Sequence, residues 1–348
     1  MTPERRLPRQ RTLVTGGAGF IGGEVVLSLL DDGTEVVILD DLSAASPGWR
    51  DRLESRSGWS LVIGDVSDEV AVRAAIEGCG RVIHLAASTD IAGGVDHPER
   101  DFATCVIGTQ VVCSVMLQEG VRDLWFASSG VIYGASNGRP LGEGDGPYRP
   151  ASHYAADKLA GEAIISGFAH LYGWRALAFR FGNTVGAGSD HGVVHDFVVK
   201  LLRDPTSLEM LGDGRQAKPY VDVGDLVRGR CHAASVVDAP FTPLNIGPPA
   251  TVTVDAIATI VMEALGLDAS AVDRRYRQVG SDGGGWPGDT PLVTFDTGSM
   301  ERLGWMPEMD AGDAIRHAAA AMADRYRAAG RPLLTAAERR TAKHAGVA

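Results

Sequence analysis

The sequence predicts an α/β protein in which a doubly wound parallel sheet is joined to a smaller, partly discontinuous α/β lobe. Through roughly the first half of the chain, short apolar runs alternate with helix-like segments. That alternation is typical of a parallel sheet covered by helices on both faces. Past residue 183 the spacing loosens, and glycine and proline interrupt shorter elements. This change predicts a second lobe that caps the ends of the strands.

Each element is predicted from its own apolar run. A buried strand at 11–15 leads through a glycine-rich turn into an apolar helix at 20–31. Further strands are predicted at 35–39, 60–63, 81–85, 123–127 and 175–181. Further helices are predicted at 68–77, at 99–119, at 152–171 and near 253–265.

The order of these elements predicts two main domains and two tails. Residues 11–183 form the first domain, and a segment near 220–240 returns to it. Residues 184–330 form most of the second lobe. The first residues, 1–10, and the Arg/Ala-rich end, 331–348, are predicted to be loosely held tails.

Composition and charge exclude several classes of protein. The formal net charge is −11 without a long block of either sign, so we expect no nucleic-acid partner. The four cysteines lie far apart without C-x-x-C spacing, so we expect reduced thiols and neither a metal site nor a disulfide framework. The sequence shows no signal-peptide core and no apolar run of membrane-spanning length. We therefore expect a cytoplasmic protein without a membrane partner.

Three glycines stand between the first strand and the first helix. Gly16, Gly19 and Gly22 belong to TGGAGFIG, which also contains Phe20 and Ile21. Glycine is needed where a side chain would keep a pyrophosphate away from the backbone amides at a helix start. A glycine triplet alone is a weak signal, but its place between a strand and a helix favours a Rossmann-type dinucleotide site.

Acidic residues follow the second and third strands. Asp40 ends the second strand and is followed by Asp41. A carboxylate there accepts hydrogen bonds from ribose hydroxyls and repels a 2′-phosphate, which favours NAD over NADP. Asp65 and Val66, after the third strand, are candidates for holding the adenine edge. A plain turn aspartate is the alternative interpretation of Asp65.

A lysine stands out in this arginine-rich chain. Lys158 is one of four lysines among 33 basic residues and lies one helical turn beyond Tyr154. A free phenol loses its proton at about pH 10, and a nearby ammonium is expected to lower that pKa so that the tyrosine acts as a base. Arginine would not supply the same compact, rotatable donor. Tyr-x-x-x-Lys also occurs by chance on surface helices. Ser128 and Ser129, after a strand, add hydroxyls that can bind a substrate oxygen.

The remaining motifs complete a recognisable set. TGGAGFIG and Asp40 are accompanied by HLAA at 84–87, SSGVIYG at 128–134, YAADK at 154–158 and RFGN at 180–183. Together these motifs resemble the extended short-chain dehydrogenase/reductase family, specifically its nucleotide-sugar epimerases and dehydratases. The resemblance extends from about residue 11 to residue 325.

That resemblance implies a fold, a cofactor, a substrate class and a catalytic set. It implies a Rossmann domain with tightly held NAD and a smaller lobe that binds a nucleotide-diphosphate sugar. It adds further cofactor contacts at Leu85, Ala86 and Ala87. It assigns the catalytic roles to Ser129, Tyr154 and Lys158.

The residues after Ser129 separate the reactions of the family. Its dehydratases resemble Thr-Asp-Glu there, its decarboxylases keep the glutamate, and its 3,5-epimerases place a cysteine at the glutamate position. This chain has Gly130 and Val131, and neither can move a proton. The resemblance therefore implies an isomerase that epimerises C4 through a transient 4-keto sugar, as UDP-galactose 4-epimerases do, with Tyr154 as acid and base. A lyase, either dehydratase or decarboxylase, and a non-catalytic NAD-binding module are the alternatives.

The resemblance also implies contacts to the substrate. The candidates are Ser128, Ser129, Asn183, Val193, Lys218, Asp289 and Val293. For Asn183 a turn asparagine is an equal alternative. Val293 stands where some epimerases carry a bulky tyrosine, which predicts a substrate larger than plain glucose.

Two departures from the family pattern and one expected assembly complete the predictions. Cys105 replaces a usual asparagine, and a buried small residue is a better interpretation of it than a nucleophile. The run 283–286 replaces an arginine that holds phosphates in relatives, which leaves the nucleotide open. Relatives pair through helices equivalent to 99–119 and 152–171, so the resemblance implies a homodimer.

Overall fold

A seven-stranded parallel sheet forms the centre of the larger domain. The computed structural model describes residues 9–88, 93–134, 138–279, 285, 288–329 and 333–344. The strands in these residues are β1 (Thr12–Thr15), β2 (Val36–Asp40), β3 (Trp59–Ile63), β4 (Arg81–His84), β5 (Asp123–Ser129), β6 (Arg175–Phe181), β7 (Asn183–Val185), β8 (Ser207–Leu211), β9 (Ala217–Lys218), β10 (Tyr220–Asp222), β11 (Phe241–Ile246), β12 (Val252–Thr253) and β13 (Asp273–Arg277). The sheet order is β11-β6-β5-β4-β1-β2-β3, with every pair parallel.

Helices cover both faces of this sheet. They are α1 (Phe20–Asp31), α2 (Glu69–Ile76), α3 (Pro98–Phe102), α4 (Gly108–Gln118), α5 (His153–Tyr172), α6 (Val193–Arg203), α7 (Val223–Val236), α8 (Val254–Ala264), α9 (Gly298–Arg302), α10 (Ala311–Ala329) and α11 (Ala336–His344). Successive residues of β5 point to opposite faces. Trp125 joins the core beneath α1 and α7, and Phe126 joins the core beneath α2, α4 and α5.

The predicted fold class is confirmed by this architecture. The six predicted strands match β1 to β6 within two residues at each end, and the first helix matches α1. The one remaining strand of the large sheet, β11, is not predicted from the sequence, because Pro243 and Asn245 interrupt its apolar pattern. Proline is tolerated there because β11 is an edge strand.

The chain returns to the first domain after β10. Helix α7 packs against α1, and Leu226, Val227 and Ala233 belong to the core under that face. The returning segment continues through β11, which pairs with β6. It therefore reaches Ile246, beyond the predicted segment near 220–240.

The second lobe has its own buried core. Helices α6, α8 and α10 pack together around side chains that include Phe197, Val261 and Met322. Strands β8 and β13 form a separate parallel pair.

The chain termini differ in how far they can be described. Of the predicted N-terminal tail, residues 1–8 lie outside the described residues. The prediction of a loose C-terminal tail is corrected for the part that is described. Helix α11 is attached to α6 by a two-bond ion pair between Arg203 and Glu338, and the Ala336 amide donates to Asp196.

One helical stretch has the length and composition of a membrane span. Residues Pro98–Gln118 meet that criterion, and 44% of the apolar window is buried inside the protein. Val112, Val115 and Met116 are fully buried in the core shared with α2 and α5. We attribute the apolar character of this stretch to core packing, since core helices meet the same criterion.

Candidate active site

The glycine turn connects the carboxyl end of β1 to α1. Gly16 has a φ of +69°, and a Cβ added there would lie 2.8 Å from the Ala86 amide nitrogen. A Cβ on Gly22 would lie 2.0 Å from the Gly16 carbonyl oxygen. At Gly19 that oxygen, at 3.3 Å, is the only described atom within 4 Å of an added Cβ. Packing within the protein thus requires the first and third glycines, whereas the second leaves room for a ligand to approach.

The start of α1 suits an anionic group. The helix has no side-chain cap and no acidic residue in its first turn. Free amides and the positive end of the helix dipole favour an anion at such a position. Ile21 packs against the core, and the Phe20 ring lies close to the loop after β7, where a Cβ on Gly188 would be 3.0 Å from it.

A chain of hydrogen bonds fixes the turn after β4 beside the glycines. The amides of Leu85 and Ala86 donate to Thr15 Oγ1 at 3.2 and 3.1 Å. His84 lies between the hydroxyls of Thr15 and Thr109, at 2.7 and 3.0 Å. Its complete burial and the nearby Lys158 charge lower its pKa to about 3. His84 is therefore a neutral structural group at physiological pH.

Asp40, the predicted ribose ligand, is held against the glycine turn. Its Oδ2 accepts from the Ala18 amide at 2.9 Å, and its Oδ1 accepts from the Leu42 amide at 2.8 Å. Burial raises the pKa of this carboxyl, and the two hydrogen bonds oppose that effect. Each carboxylate oxygen keeps a second lone pair. The residue can therefore accept a ribose hydroxyl without losing its amide bonds.

The other acidic candidates form turns. Asp41 and Asp65 each accept the N–H and O–H of the serine two residues later, Ser43 and Ser67. Val66 is 4% exposed and belongs to the core. The structure thus supports the turn interpretation for both aspartates. The adenine role of 65–66 stays a prediction.

These parts meet at one edge of the sheet. The glycine turn follows β1, Asp40 ends β2, and Leu85, Ala86 and Ala87 follow β4. The strand order β4-β1-β2 makes the three strands neighbours. Ligands of open parallel sheets bind outside the carboxyl ends of the strands. The open position at Gly19 and the uncapped α1 fit the pyrophosphate of NAD there.

The three predicted catalytic residues come together beside this site. Ser152 caps α5 by accepting from the Ala155 amide, which places Tyr154 and Lys158 in its first turns. The Ser129 hydroxyl, at the end of β5, lies close enough to the Tyr154 hydroxyl to act on its pKa, which it lowers. Lys158 is 1% exposed. Its Nζ donates to the Ala127 carbonyl at 2.8 Å and lies 5.8 Å from the Tyr154 ring centroid.

The predicted effect of Lys158 on the phenol is corrected by the structure. Burial raises the pKa of Tyr154, and the negative charge of Asp101 acts in the same direction. Burial also lowers the pKa of Lys158. The sequence predicts a lowered phenol pKa, but burial disfavours the charged form of each side chain, and Lys158 is not among the groups that shift the pKa of Tyr154. The protonated phenol is therefore the favoured form of Tyr154.

Cys105 lies beside the catalytic residues in a π-helical turn, Ala103–Ile107, between α3 and α4. Its thiol is 1% exposed, and burial raises its pKa. The thiolate is therefore disfavoured, as expected of a buried small residue. All four cysteines are free. In the part of the chain that the structure describes, no group of three or more His, Cys, Asp or Glu side chains is placed to hold a metal ion.

A narrow cleft of about 20 Å³ opens beside Ser129. Four predicted substrate residues line it, namely Ser129, Asn183, Lys218 and Val293. The other lining residues are Gly130, Val131, Phe181, Gly182, Pro219 and Phe295. A larger cleft of about 420 Å³ lies at the amino ends of β4, β5 and β6 and contains none of the catalytic residues. The cleft beside Ser129 is therefore the candidate sugar site.

The polar substrate candidates already have protein partners. Lys218 is ion-paired with Asp289, which also accepts from the Gly285 amide at 3.1 Å. The Asn183 side chain lies close enough to the Tyr220 hydroxyl to act on its pKa, which it lowers. A diphosphate would compete with Asp289 for Lys218. The run that replaces the relatives' arginine lies outside the described residues except for Gly285.

Two predicted substrate contacts are placed elsewhere. Ser128 is 2% exposed, and its hydroxyl donates to Glu162 in the core instead of facing the cleft. Val193 begins α6 and packs against the core of the second lobe. It is absent from the described lining of the cleft. We therefore remove both residues from the candidate substrate contacts.

The sequence analysis missed a buried network behind Ser129. Glu162 receives two hydrogen bonds from Arg180, at 2.9 and 2.7 Å, in addition to that from Ser128. Arg180 also donates to the Tyr133 hydroxyl, which donates to Asn245 at 2.6 Å. A charge inside the apolar run RALAFRF was the available signal, because a buried charge requires a partner.

Comparison with known proteins places the chain in one family. Residues 12–247 match the model of the NAD dependent epimerase/dehydratase family. The chain is 32% identical to a UDP-glucose 4-epimerase of Mycolicibacterium smegmatis, over 88% of this chain and 96% of that relative.

Solved structures show the same fold with two activities. The UDP-glucose 4-epimerase of Thermus thermophilus in complex with NAD is 30% identical, with a TM-score of 0.79 and coverage of 92% of this chain and 99% of that one. The dTDP-glucose 4,6-dehydratase of Streptomyces venezuelae with NAD bound is 26% identical, with a TM-score of 0.82 and coverage of 93% and 100%. Overall similarity therefore does not separate epimerase from dehydratase.

Proposed function

Because the chain belongs to the NAD dependent epimerase/dehydratase family, whose members use NAD, we propose that it epimerises a nucleotide-diphosphate sugar at C4. The reaction oxidises the C4 hydroxyl to a ketone and reduces it again from the other face. It needs one proton-exchanging group and no group that eliminates water or carbon dioxide. Ser129, Tyr154 and Lys158 are sufficient for this reaction, with Tyr154 as the proton-exchanging group.

The lining of the sugar cleft is the observation that carries this proposal. Lys218 is the only ionisable residue among the described residues that line it. Gly130 and Val131 occupy the two positions that would hold the acid and base of a dehydratase. A Cβ on Gly130 would lie 2.4 Å from the Phe295 ring, so that ring fills the space of an acidic side chain there. Elimination of water lacks its acid and base in this cleft.

The residues of the chain have separate roles in the proposed mechanism. Bound NAD supplies the hydride acceptor and donor. Asp40 and the glycine turn would hold its ribose and pyrophosphate, and Lys158 its nicotinamide ribose. Ser129 holds the C4 oxygen. Tyr154 must be a phenolate to take the C4 hydroxyl proton, a form that the positive charge of oxidised nicotinamide would favour, and it returns the proton when the ketone is reduced. Because the two hydroxyls lie close together, both can contact the same C4 oxygen.

A lyase is the second candidate function. Relatives include dTDP-glucose 4,6-dehydratases, such as one of Actinoplanes at 29% identity. No residue of the described cleft favours this reaction over epimerisation, for the reasons given above. A non-catalytic NAD-binding module is disfavoured, because binding alone does not require Ser129, Tyr154 and Lys158 together.

The test is to incubate the protein with a panel of nucleotide sugars, supply no second substrate, and analyse the products by mass and NMR. We expect an isomer of unchanged mass with inverted C4. Loss of water would identify a dehydratase and loss of carbon dioxide a decarboxylase, and either result would refute the epimerase proposal. Unchanged sugars across the panel, with NAD bound, would leave the binding module as the better interpretation.

The wall of the cleft bears on the choice of sugar. Val293 is buried there beside Phe295, where a bulky tyrosine would narrow the cleft. The proposal therefore includes a preference for a sugar with a large C2 substituent. Competition between UDP-glucose and UDP-N-acetylglucosamine tests it. Equal or faster turnover of UDP-glucose would reject the preference without affecting the C4 chemistry.

Exposed apolar residues support the homodimer as part of the proposal. Phe102 and Ile107 are 49% and 41% exposed on the α3–α4 stretch, and Leu171 is 77% exposed at the end of α5. These helices contain the predicted pairing surface. Light scattering should give a dimer for the native protein and a monomer for Ile107→Asp. Ile63→Asp, at an isoleucine that is 66% exposed on β3, should remain a dimer.

A further inference from the structure

Two buried arginines at the amino end of the sheet share one indole. Arg81 begins β4 and Arg230 lies in α7. Their guanidinium carbons are 4.5 and 4.8 Å from the Trp125 ring centroid. The residues are 2% and 0% exposed. The proposed reaction uses neither of them, so their charges need another explanation.

Three N–H-bearing nitrogens of this pair have no acceptor among the described residues: Nη2 of Arg81, and Nε and Nη1 of Arg230. The other terminal nitrogen of Arg230 donates to the Cys231 sulfur at 3.3 Å, which is a weak acceptor. Asp32 attracts Arg230 by its charge but is exposed. Since guanidinium stays protonated in proteins, these donors are buried with their charge.

The carboxylate beside the pair is already fully engaged. Asp123 accepts from Arg81 Nε at 2.7 Å, from Arg175 Nη1 at 3.1 Å and from Trp125 Nε1 at 3.0 Å. The Nε and Nη2 atoms of Arg175 donate hydrogen bonds to two carbonyl oxygens at the end of α7. Two guanidinium groups therefore share this one carboxylate, and Arg230 has no ion pair with it. Elsewhere in the core, Arg180 has a carboxylate of its own.

An open cleft reaches the Arg81 side of the pair, and Arg230 is not among its described lining residues. Arg81 and Arg175 line the open cleft of about 420 Å³, and Arg122 lies exposed at the same cleft. The chain as a whole has a net charge of −11, so this positive cluster is a local exception. A negatively charged ligand would be attracted to this edge and repelled by most of the surface.

We propose that a small inorganic monoanion of the halide class binds between the guanidinium groups of Arg81 and Arg230. It would accept N–H donors from Arg81 Nη2 and Arg230 Nη1 and also offset the excess positive charge. A water molecule would accept the hydrogen bonds but would not offset the positive charge. A buried charge without a counter-charge is strongly unfavourable. The anion is thus a structural ligand of the α7 face and does not depend on the proposed function.

Bromide identifies the ligand directly. Crystals of the NAD-bound protein soaked in bromide should show an anomalous peak within hydrogen-bonding distance of Arg81 Nη2 and Arg230 Nη1. A well-ordered water or a protein carboxylate at that position in the presence of bromide would overturn the proposal. This measurement uses the unaltered protein, so it does not rely on a variant that folds.

Thermal stability provides a second readout. At constant ionic strength and saturating NAD, replacing gluconate by bromide should raise Tm by roughly 5 °C once bromide is about 100-fold above its dissociation constant. Arg230→Met keeps an apolar side chain on Trp125 and removes the unpaired charge. It should abolish the bromide shift without lowering Tm in gluconate, because an apolar replacement of a buried charge is often neutral or stabilising.

Arg316→Met is the matched control, since Arg316 is an arginine on α10 whose side chain is 49% exposed. That variant should retain the full bromide shift. Equal shifts in the native protein and in Arg230→Met would show that bromide acts elsewhere, and would refute the site. A large loss of Tm in gluconate for Arg230→Met would refute the unpaired state of the guanidinium.

Discussion

The two ends of strand β4 show how differently this fold handles buried polar groups. At the carboxyl end, His84 is held between two hydroxyls and stays neutral. At the amino end, only three residues away, Arg81 is buried with one N–H group unsatisfied by the described residues. The same contrast separates Arg180, which is ion-paired with Glu162, from Arg230, which forms no ion pair with a carboxylate of the described residues.

This contrast indicates where the sheet has been organised for chemistry. At the carboxyl edge, hydrogen-bond networks fix Ser129, Lys158 and the turn after β4 in place. A reacting group must be held in one geometry for proton transfer. The amino edge has a network around Asp123, but three donor nitrogens of Arg81 and Arg230 have no partner among the described residues, which suits binding of a simple ion.

The largest effect is expected from Tyr154→Phe. It removes the proton-exchanging hydroxyl at the carboxyl edge and should lower kcat by about 10²- to 10⁴-fold, with NAD binding retained. Arg230→Met, at the amino edge, should retain kcat. Steady-state turnover and NAD titration measure both. Substantial turnover in Tyr154→Phe would remove the tyrosine from its assigned role.

The next largest effect is expected from a comparison of two buried arginines, Arg180 with its carboxylate partner and Arg230 without an ion pair among the described residues. Glu162→Gln leaves Arg180 buried without its counter-charge and should reduce the free energy of unfolding by about 3–5 kcal/mol. Arg230→Met should leave it nearly unchanged in the absence of halide. Chemical denaturation of the two variants under identical conditions tests the pair. Equal losses in the free energy of unfolding of Glu162→Gln and Arg230→Met would contradict the difference between the two edges of the sheet.

Two glycines provide a smaller contrast in packing. Gly22→Ala places a Cβ against the Gly16 carbonyl and should cost about 1–3 kcal/mol of stability and weaken NAD binding. Gly120 lies at the amino edge with φ +74° and open space around it. Gly120→Ala should cost about 1–2 kcal/mol through its backbone conformation alone. NAD affinity distinguishes them, since a loss in both variants would point to general destabilisation.

The smallest effect concerns pH. Because the folded state lowers the pKa of His84 to about 3, the unfolded chain binds more protons below its ordinary pKa of about 6.5. Stability contributed by neutral His84 is complete above that pH and is lost as pH falls toward 3, by at most about 1.4 kcal/mol per pH unit. Unfolding measured from pH 7 to 5 should show a weaker slope in His84→Gln. His170→Gln, at an exposed position, should keep the native slope.

Local sequence was enough to predict the elements that build the cofactor site. The strand, glycine turn and helix of residues 12–31 are contiguous, and their chemistry depends on backbone conformation near each glycine. Tyr154 and Lys158 are one helical turn apart, so their proximity also followed from spacing. The direction of the Tyr154 pKa shift did not follow, because desolvation depends on everything packed around the ring.

The sequence by itself determined the fold class, the family and the positions of Ser129, Tyr154 and Lys158. Only the tertiary structure placed Phe295 against Gly130, paired Arg180 with Glu162 and brought Arg81 and Arg230 onto Trp125. The reason is physical. Backbone motifs act over a few residues, whereas packing and burial of charge join side chains far apart in the chain, and their energies depend on neighbours that no local pattern specifies.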